Sequence, residues 1–137
     1  MAPRFEISDS VSSRPMVTHC RTVGLVSVQM DYYDIPFQDE TFDAIWSLNT
    51  LLHVPLHSLS TVLLEIQRVL IDDGLFFLGC YGGSGKEGIL DKDHYEPKRF
   101  FSFKKDDDLN RIARDHFNVF DFHTVDTGLS NNHFQSL

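Results

Sequence analysis

The chain has 137 residues, of which 42% are hydrophobic, and a formal net charge of −8 at pH 7. This length suits one domain with a single hydrophobic core. The negative charge argues against a nucleic-acid partner, because binding to a phosphate backbone needs clustered Lys and Arg, and the pairs Lys98-Arg99 and Lys104-Lys105 are interpreted as parts of a solvated surface.

The N-terminal region divides into an arm and the start of a domain. Residues 1–15 mix Ser, Arg, Pro and acids without a period, which predicts a loose N-terminal arm before a domain over 16–137. A short helix is predicted over 16–23, ended by Gly24 at a position that favours a left-handed cap.

Two strands follow the first helix. The sequence LVSVQM at 25–30 has the β-branched and apolar bias of a buried strand, and it ends in Asp31. The sequence TFDAIWSL at 41–48 predicts a second strand, which stops near Asn49.

The centre of the chain predicts a helix and a buried strand. Residues 57–70 have apolar side chains at helical spacing, which indicates one amphipathic helix. The sequence Asp-Asp-Gly at 72–74 breaks this helix and precedes LFFLGCY, a near-continuous apolar strand of the kind that is covered on both faces.

The C-terminal third predicts one helix and two strands. Residues 106–116 open with three acids, which suit the positive end of a helix dipole. Strands are predicted over 117–125 and 133–137, with a turn between them. The order strand, strand, helix, strand, helix, strand, strand indicates an α/β domain that ends in an antiparallel pair.

The sequence predicts neither a membrane span nor a secretory signal. No apolar run approaches the ~18 residues of a membrane span, and the polar start lacks the apolar segment of a secretory signal. Cys20 and Cys80 lie within apparently regular segments, which favours reduced core thiols over a disulfide. We therefore expect a cytoplasmic protein without a membrane partner.

A glycine-rich stretch, YGGSGKEG at 81–88, resembles a phosphate-binding loop at first sight. In the P-loop spacing, however, Cys80 stands where the first glycine must be and Glu87 replaces the hydroxyl that holds magnesium. A dinucleotide-binding glycine motif would have to follow a first strand, and none does. The stretch therefore predicts an ordinary loop after a strand.

Metal and nucleophile sites are disfavoured. His53 and His57 are four residues apart, but Pro55 between them disfavours a continuous helical turn that would aim both rings at one ion. No carboxylate or thiol at matching spacing completes a site, so no metal is expected. No G-x-S-x-G elbow is present for a serine hydrolase.

Residues 25–80 carry a series of motifs whose order is more specific than any one of them. These motifs are, in chain order, Asp31, Ile35-Pro36-Phe37, Thr41-Phe42-Asp43, His53, Glu65-Ile66-Gln67-Arg68-Val69-Leu70 and Gly74. With them the chain resembles the class I S-adenosylmethionine-dependent methyltransferases, in particular their small-molecule branch, over about residues 16–137. The resemblance implies a partial Rossmann-like methyltransferase sheet with helices on its faces.

This resemblance implies a cofactor site at the ends of two strands. Asp31 would accept a hydrogen bond from the adenine amine of S-adenosylmethionine, with the backbone of Tyr32 beside it. Leu48 and Asn49 would contact the cofactor at the end of the next strand. From the residues alone, the less favoured alternative for Asp31 is an acid in a surface turn, whereas Asn49 equally caps the segment after it.

The resemblance also implies a small-molecule methyl acceptor. The acceptor would be presented by the segment from Tyr81 to Phe103, including Tyr95 and Phe100, together with residues after Asn49. His53 is the one candidate catalytic residue, as a general base, and a structural role near the cofactor's methionine end is the alternative.

The family's first two strands, its glycine turn and the acid that holds the ribose are expected to be missing. We therefore expect this chain alone to bind the cofactor weakly or not at all, and residues 1–15 to reflect a truncated reading frame. The strand at 41–48 would then present an open edge, which favours self-association. The alternative function is a non-catalytic interaction module that uses this edge.

Overall fold

The computed structural model describes residues 5–9, 14–128 and 131–137. Within these ranges the chain forms three α-helices and eight strands, with two short 3-10 helices at Leu51–His53 and Leu56–Ser58. The elements are β1 (Phe5–Asp9), α1 (Arg14–Thr22), β2 (Val26–Met30), β3 (Phe42–Leu48), α2 (Leu59–Val69), β4 (Leu70–Gly82), β5 (Glu87–Ile89), β6 (Phe100–Ser102), α3 (Asp106–His116), β7 (His123–Val125) and β8 (His133–Ser136).

The strands form three groups. β3, β4, β8 and β7 make a four-stranded sheet in that order, in which β3 and β4 are parallel and the last two strands are antiparallel. β1 and β2 form a parallel pair, and β5 and β6 form an antiparallel pair. Helix α1 connects β1 to β2, and helix α2 connects β3 to β4, because neighbouring parallel strands need a crossover connection. The predicted α/β class, with a closing antiparallel pair, is confirmed.

The core lies between the four-stranded sheet and two helices. Leu59, Val62 and Leu63 of α2 are fully buried and pack with Leu78 of β4 and Leu109 of α3. Burying each such side chain contributes about 1.5–3 kcal/mol. Both cysteines are buried and are not joined in a disulfide, as predicted. In the described ranges no helix is both long and apolar enough to cross a membrane.

The prediction of a loose N-terminal arm is wrong for part of its length. Residues 5–9 were expected to be loose, but they form β1, which pairs with β2 from Phe5 opposite Val26 to Asp9 opposite Met30. The sequence FEISD alternates apolar and polar residues, which is the period of a strand. Helix α1 then begins at Arg14, and the remainder of the arm lies outside the described residues. The chain therefore has one strand more ahead of β2 than predicted.

Three other predicted elements differ in detail. The helix over 57–70 is divided into the second 3-10 helix and α2, and the Asp-Asp-Gly break at 72–74 is a bulge inside β4, where Asp73 has φ +61°. At this bulge, the residue of β4 that pairs with β3 changes from Leu70 directly to Leu75. Of the predicted strand over 117–125, only β7 pairs; before it, Phe117 and Phe122 pack against the core without joining the ladder, and Phe120 is exposed.

Strand β3 lies at the edge of its sheet. Its strand neighbour in the described residues is β4, while β2 pairs with β1, so the expected open edge is present. On one face Trp46 stacks on Phe77 with ring centroids 3.8 Å apart, although the tryptophan is 71% exposed. We call Trp46, Phe77 and the exposed residues Leu48 and Leu75 the sheet-edge patch.

Candidate functional site

Parallel strands β3 and β4 end on the same side of the sheet. Leu48, the last residue of β3, pairs with Gly79, and β4 continues to Gly82 before the chain turns into the glycine-rich loop. Ligands of open α/β sheets bind at the carboxyl ends of the strands. We call the loops at this end, residues 49–56 and 83–105, the rim.

Asp31 follows β2 directly and is exposed. Its Oδ1 accepts the amide hydrogen of Tyr33 at 2.9 Å, and a backbone bridge to Asp34 closes the turn. Tyr32 is half-buried and packs against the core. Asp31 therefore does stand in a turn, and its carboxylate also stays accessible at the tip of a parallel strand.

Asn49 adopts an unusual conformation after β3. Its φ is +58°, in the left-handed region, and its amide donates to the carbonyl of Gly79 at 2.7 Å. Its Oδ1 is buried and finds no hydrogen-bond partner within the described part of the chain. The following 3-10 helix has Thr50 at its N-cap and no side-chain cap bond, so the capping interpretation of Asn49 is wrong.

A buried acceptor without a donor costs about 1–3 kcal/mol, and a left-handed non-glycine residue adds backbone strain. Both features at one residue, Asn49, mark the end of β3 as a place where packing is not optimised for stability alone. Leu48 beside it is 53% exposed. Such costs are typical of ligand sites.

His53 is held in one tautomer. Its Nδ1 lies 2.7 Å from the carbonyl oxygen of Phe100, which can only accept, so Nδ1 carries the hydrogen. The ring meets Phe101 edge-on at 4.8 Å. Burial lowers the pKa of His53 below 6.5, while the hydrogen bond to Phe100 opposes that shift. The ring is therefore neutral at pH 7 with Nε2 as a proton acceptor.

The described residues contain no group of three or more His, Cys, Asp and Glu side chains arranged to hold a metal ion. His53 ends the first 3-10 helix and His57 lies in the second. Pro55 stands between the two helices, in an extended conformation.

A cavity of about 830 Å³ opens at the rim between the glycine-rich loop and β6. Of the three residues expected on the acceptor side, Tyr81 lines this cavity, whereas Tyr95 and Phe100 do not. Tyr95 instead packs under the guanidinium of Arg99 at 3.9 Å, and Phe100 contributes its carbonyl to His53. We call this space the rim cavity; its lining residues are Leu52, Tyr81, Ser84, Lys86, Glu87, Gly88, Ile89, Leu90, Lys92, Phe101, Phe103, Asn131 and Asn132.

The prediction that the pair Lys104-Lys105 is part of a solvated surface is wrong for Lys104. It is only 2% exposed, and its ammonium donates to the carbonyls of Leu51 and Val54 at 2.8 Å and of Ser102 at 3.4 Å. Burial lowers its pKa to about 8. The lysine thus fastens the loop after β3 to β6. Its neighbour Lys105 is exposed, and nothing in the sequence distinguishes the two.

The glycine-rich loop is not a phosphate cradle. Although Gly83, Gly85 and Gly88 do have G-x-G-x-x-G spacing, they follow β4 and lead into strand β5, where a dinucleotide motif would open a helix. The loop's amides already have partners within the protein. Gly83 donates to the carbonyl of Lys104, Gly85 to that of Phe103, and Ser84 to Oδ1 of Asn132.

Glu87 also has a role that the sequence did not reveal. Its Oε1 accepts from the amide of Leu56 at 2.7 Å and from the hydroxyl of Ser102 at 2.6 Å. The bond from Ser102 is the main reason why the pKa of Glu87 is lowered. The residue that replaces the P-loop hydroxyl therefore ties the glycine-rich loop to both sides of the rim.

The two parallel βαβ units and the closing antiparallel strands are the architecture of a class I methyltransferase. The family model "Methyltransferase domain" matches residues 9–78, just over half of the chain. The chain belongs to this family. The match begins at Asp9, the last residue of β1, so the family likeness starts earlier than residue 16.

Known proteins agree with this assignment. A sterol 24-C-methyltransferase, ERG6B of Gibberella zeae, is 39% identical over 72 residues, which are 53% of this chain and 18% of that protein. The chain therefore spans about a fifth of this curated relative.

Solved structures share the fold at low sequence identity. A SAM-dependent methyltransferase from Methanosarcina mazei superposes with a TM-score of 0.73 at 13% identity, covering 96% of this chain and 79% of its own. The 1,6-didemethyltoxoflavin-N1-methyltransferase of Burkholderia thailandensis, with 1,6-didemethyltoxoflavin and S-adenosylhomocysteine bound, gives a TM-score of 0.69 at 17% identity, covering 95% and 58%.

Proposed function

We propose that this chain forms part of a site for S-adenosylmethionine-dependent methyl transfer to a small-molecule acceptor. The observation that carries the proposal is the buried, unpartnered Oδ1 of Asn49 in a left-handed turn at the rim. In a methyltransferase domain, an amide oxygen there is available to accept a hydrogen bond from the cofactor.

The residues present fit the adenosine end of the cofactor. The exposed carboxylate of Asp31 at the tip of β2 would accept from the adenine amine, with Tyr32 beside it and Leu48 and Asn49 at the end of β3. When bound, the cofactor supplies a methyl group on a sulfonium, which is the electrophile.

β1 adds a residue to this set that sequence reasoning missed. Asp9 is its last residue and pairs with Met30, one residue before Asp31. In the family an acid at the end of the second strand holds the ribose hydroxyls, and Asp9 has the corresponding position in the chain, at the end of the strand before β2. The 137 residues contain no G-x-G-x-G pattern, and for this reason we expect weak cofactor binding by the chain alone.

Residues of the rim and of the rim cavity would act on the acceptor. His53 does not line the cavity but packs on Phe101, which does; with Nε2 free of its hydrogen, it would take a proton from an acceptor that extends past Phe101. Tyr81 and Phe101 would orient the acceptor and exclude water. The rim cavity's volume lies within the range of about 300–1,000 Å³ that is common for small-molecule sites.

Calorimetry tests the cofactor part of this proposal. Titration of the full chain with S-adenosylmethionine should give a dissociation constant in the millimolar range, and Asp31→Ala should weaken binding further because the adenine partner is lost. Asp115→Ala, an exposed acid on α3, is the matched control and should bind as the wild type does. Micromolar affinity would contradict the expected weak binding, and equal binding by Asp31→Ala would contradict the proposed adenine contact.

A second candidate function is a non-catalytic interaction module that pairs through the edge of β3. The sheet-edge patch favours it, because an open edge strand beside exposed Trp46 and Leu75 is a surface on which another chain can dock. A self-associating module runs as a dimer or larger species in size-exclusion chromatography, whereas a self-sufficient enzyme need not.

A further inference from the structure

The rim cavity combines an apolar body with charged residues at its mouth. Leu52, Tyr81, Phe101 and Phe103 supply side chains that are buried or half-buried, and Ile89 at the mouth is 63% exposed. A ligand that covers the exposed isoleucine beside these aromatic rings removes apolar surface from water, which favours binding. This part of the lining favours an acceptor with an apolar body.

The charged lining is unbalanced toward positive groups. Lys86 and Lys92 are both exposed, and neither joins an ion pair within the described part of the chain. The one acid of the lining, Glu87, already accepts two hydrogen bonds at Oε1. Asp93, next to Lys92 in sequence, is held by Arg99 at 2.8 Å and does not line the cavity.

Asn132 adds a neutral donor to the same lining. Its Oδ1 already accepts the amide hydrogen of Ser84 at 3.2 Å, so its remaining polar group is an NH₂ donor. Two lysines and an asparagine with a free NH₂ donor therefore belong to the lining, and its one carboxylate, Glu87, already accepts hydrogen bonds.

The positive charge of the cavity lining contrasts with the negative charge of the whole chain. With a net charge of −8, the chain as a whole repels anions, so any preference for an anionic ligand has to arise locally. Lys86 and Lys92 are the cationic residues of the lining.

We propose that the rim cavity selects methyl acceptors that combine an apolar or aromatic body with one negative charge, such as an aromatic carboxylate. The apolar side chains would hold the body, while Lys86, Lys92 and the amide of Asn132 would hold the anionic group at the mouth. This inference rests on the proposed function, since it takes the rim cavity as the acceptor site.

Three probes with one ring system and different charge test the inference without cofactor. We would measure binding of 2-naphthoate, 2-naphthamide and 2-naphthylmethylammonium to the full chain by naphthalene fluorescence. The naphthoate should bind about tenfold more tightly than the amide, because each exposed ion pair contributes up to about 1 kcal/mol. The ammonium probe should bind most weakly.

Variants assign the preference to the cavity. The double variant Lys86→Gln with Lys92→Gln should bind naphthoate and naphthamide equally, while Phe101→Ala should weaken binding of both probes. Lys98→Gln is the control, because Lys98 is exposed, lies outside the lining and should leave the tenfold preference intact.

The outcomes separate this inference from the proposed function. Equal binding of naphthoate and naphthamide by the wild type, no binding of any probe, or a preference that persists in the double lysine variant would overturn it. A naphthoate preference that depends on both lysines supports it even if the cofactor does not bind, in which case the proposed function alone fails.

Discussion

Lys104 shows how a single buried charge holds the rim together. Its ammonium joins the carbonyls of Leu51 and Val54 to Ser102 on the opposite side of the rim, and the first two lie in the segment that carries His53. A buried ammonium is tolerated only when hydrogen bonds replace water, and three carbonyls do so here. The same burial makes its protonation sensitive to pH.

The pKa of Lys104 gives a stability prediction. Because it is about 8 in the folded chain and 10.5 without burial, the unfolded chain binds more protons between these values, and the free energy of unfolding rises with pH there. The thiol of Cys80, whose pKa is raised from 9.0 to about 11 by burial, acts in the opposite direction above pH 9. The lysine's contribution is therefore clearest below pH 9.

Urea unfolding between pH 7 and pH 9 should show this contribution as a gain of about 1 kcal/mol in the wild type relative to Lys104→Met. Lys105→Met, at the exposed neighbouring position, should follow the wild type. Parallel pH profiles for the wild type and Lys104→Met would refute a buried, titrating Lys104.

His53 allows a second test at the level of one residue. In an NMR titration its midpoint should fall below 6.5 with the hydrogen on Nδ1, because burial disfavours the charged ring. Phe101→Ala should expose the ring and raise the midpoint toward 6.5. If His53 is the general base, methyl transfer should increase as pH rises through this midpoint, and a midpoint above 6.5 would contradict the assigned environment.

Helix α2 positions the turn after Asp31 through an ion-pair cluster. Arg68 donates to Glu65 and Asp39 and to the carbonyls of Ile35 and Phe37, while Glu65 accepts the amide hydrogen of Ile35. These bonds raise the pKa of Arg68 and lower that of Glu65, chiefly through their mutual hydrogen bond. The Glu-x-x-Arg motif is thus structural here.

Loss of this cluster should loosen the turn. Arg68→Ala is expected to lower the melting temperature and shift the amide resonances of Ile35 and Phe37, and Arg68→Lys should recover only part, because lysine cannot make the forked contacts. Arg111→Ala, at a more exposed i,i+3 ion pair on α3, should change neither. Equal melting temperatures for Arg68→Ala and Arg111→Ala would refute the structural role.

The elements that the sequence predicted best are those with local signals. Helix α3 has the bounds expected from its three initial acids and its apolar spacing. β1 was missed because its five residues lie in a polar arm and gain their pairing from β2, which is distant in sequence. The five-residue alternation in β1 is too short to stand out in that arm, and the β5–β6 pair has no local period at all.

At the candidate site, sequence reasoning selected Asp31, Asn49, His53 and Tyr81 because family motifs and strand ends mark them. It could not predict the bond from His53 to Phe100 or the burial of Lys104, since both depend on contacts between segments about 50 residues apart. Tyr95 and Phe100 carry the aromatic character expected of an acceptor site, but neither lines the rim cavity, and Tyr95 packs against Arg99.

The sheet-edge patch lies beside β3, which is an edge strand of the four-stranded sheet. Wild-type chain should elute in size-exclusion chromatography as a concentration-dependent dimer or larger species, because edge strands and exposed aromatic residues favour association. Trp46→Lys should shift elution toward the monomer. Leu64→Lys, at a residue that is 54% exposed on α2 and outside the patch, is the control and should elute as the wild type does.

A monomeric wild type at all concentrations would remove the interaction-module alternative and leave the enzyme proposal standing. Loss of association in both Trp46→Lys and Leu64→Lys would contradict the assignment of the interface to the sheet-edge patch.

We propose that the ends of β1, β2 and β3 form the adenosine side of a cofactor site. Amide chemical shifts of the full chain during titration with S-adenosylhomocysteine test it most directly. We predict weak, progressive shifts concentrated at Asp9, Asp31, Tyr32, Leu48 and Asn49. Shifts confined to other parts of the chain, or none at millimolar ligand, would contradict the claim.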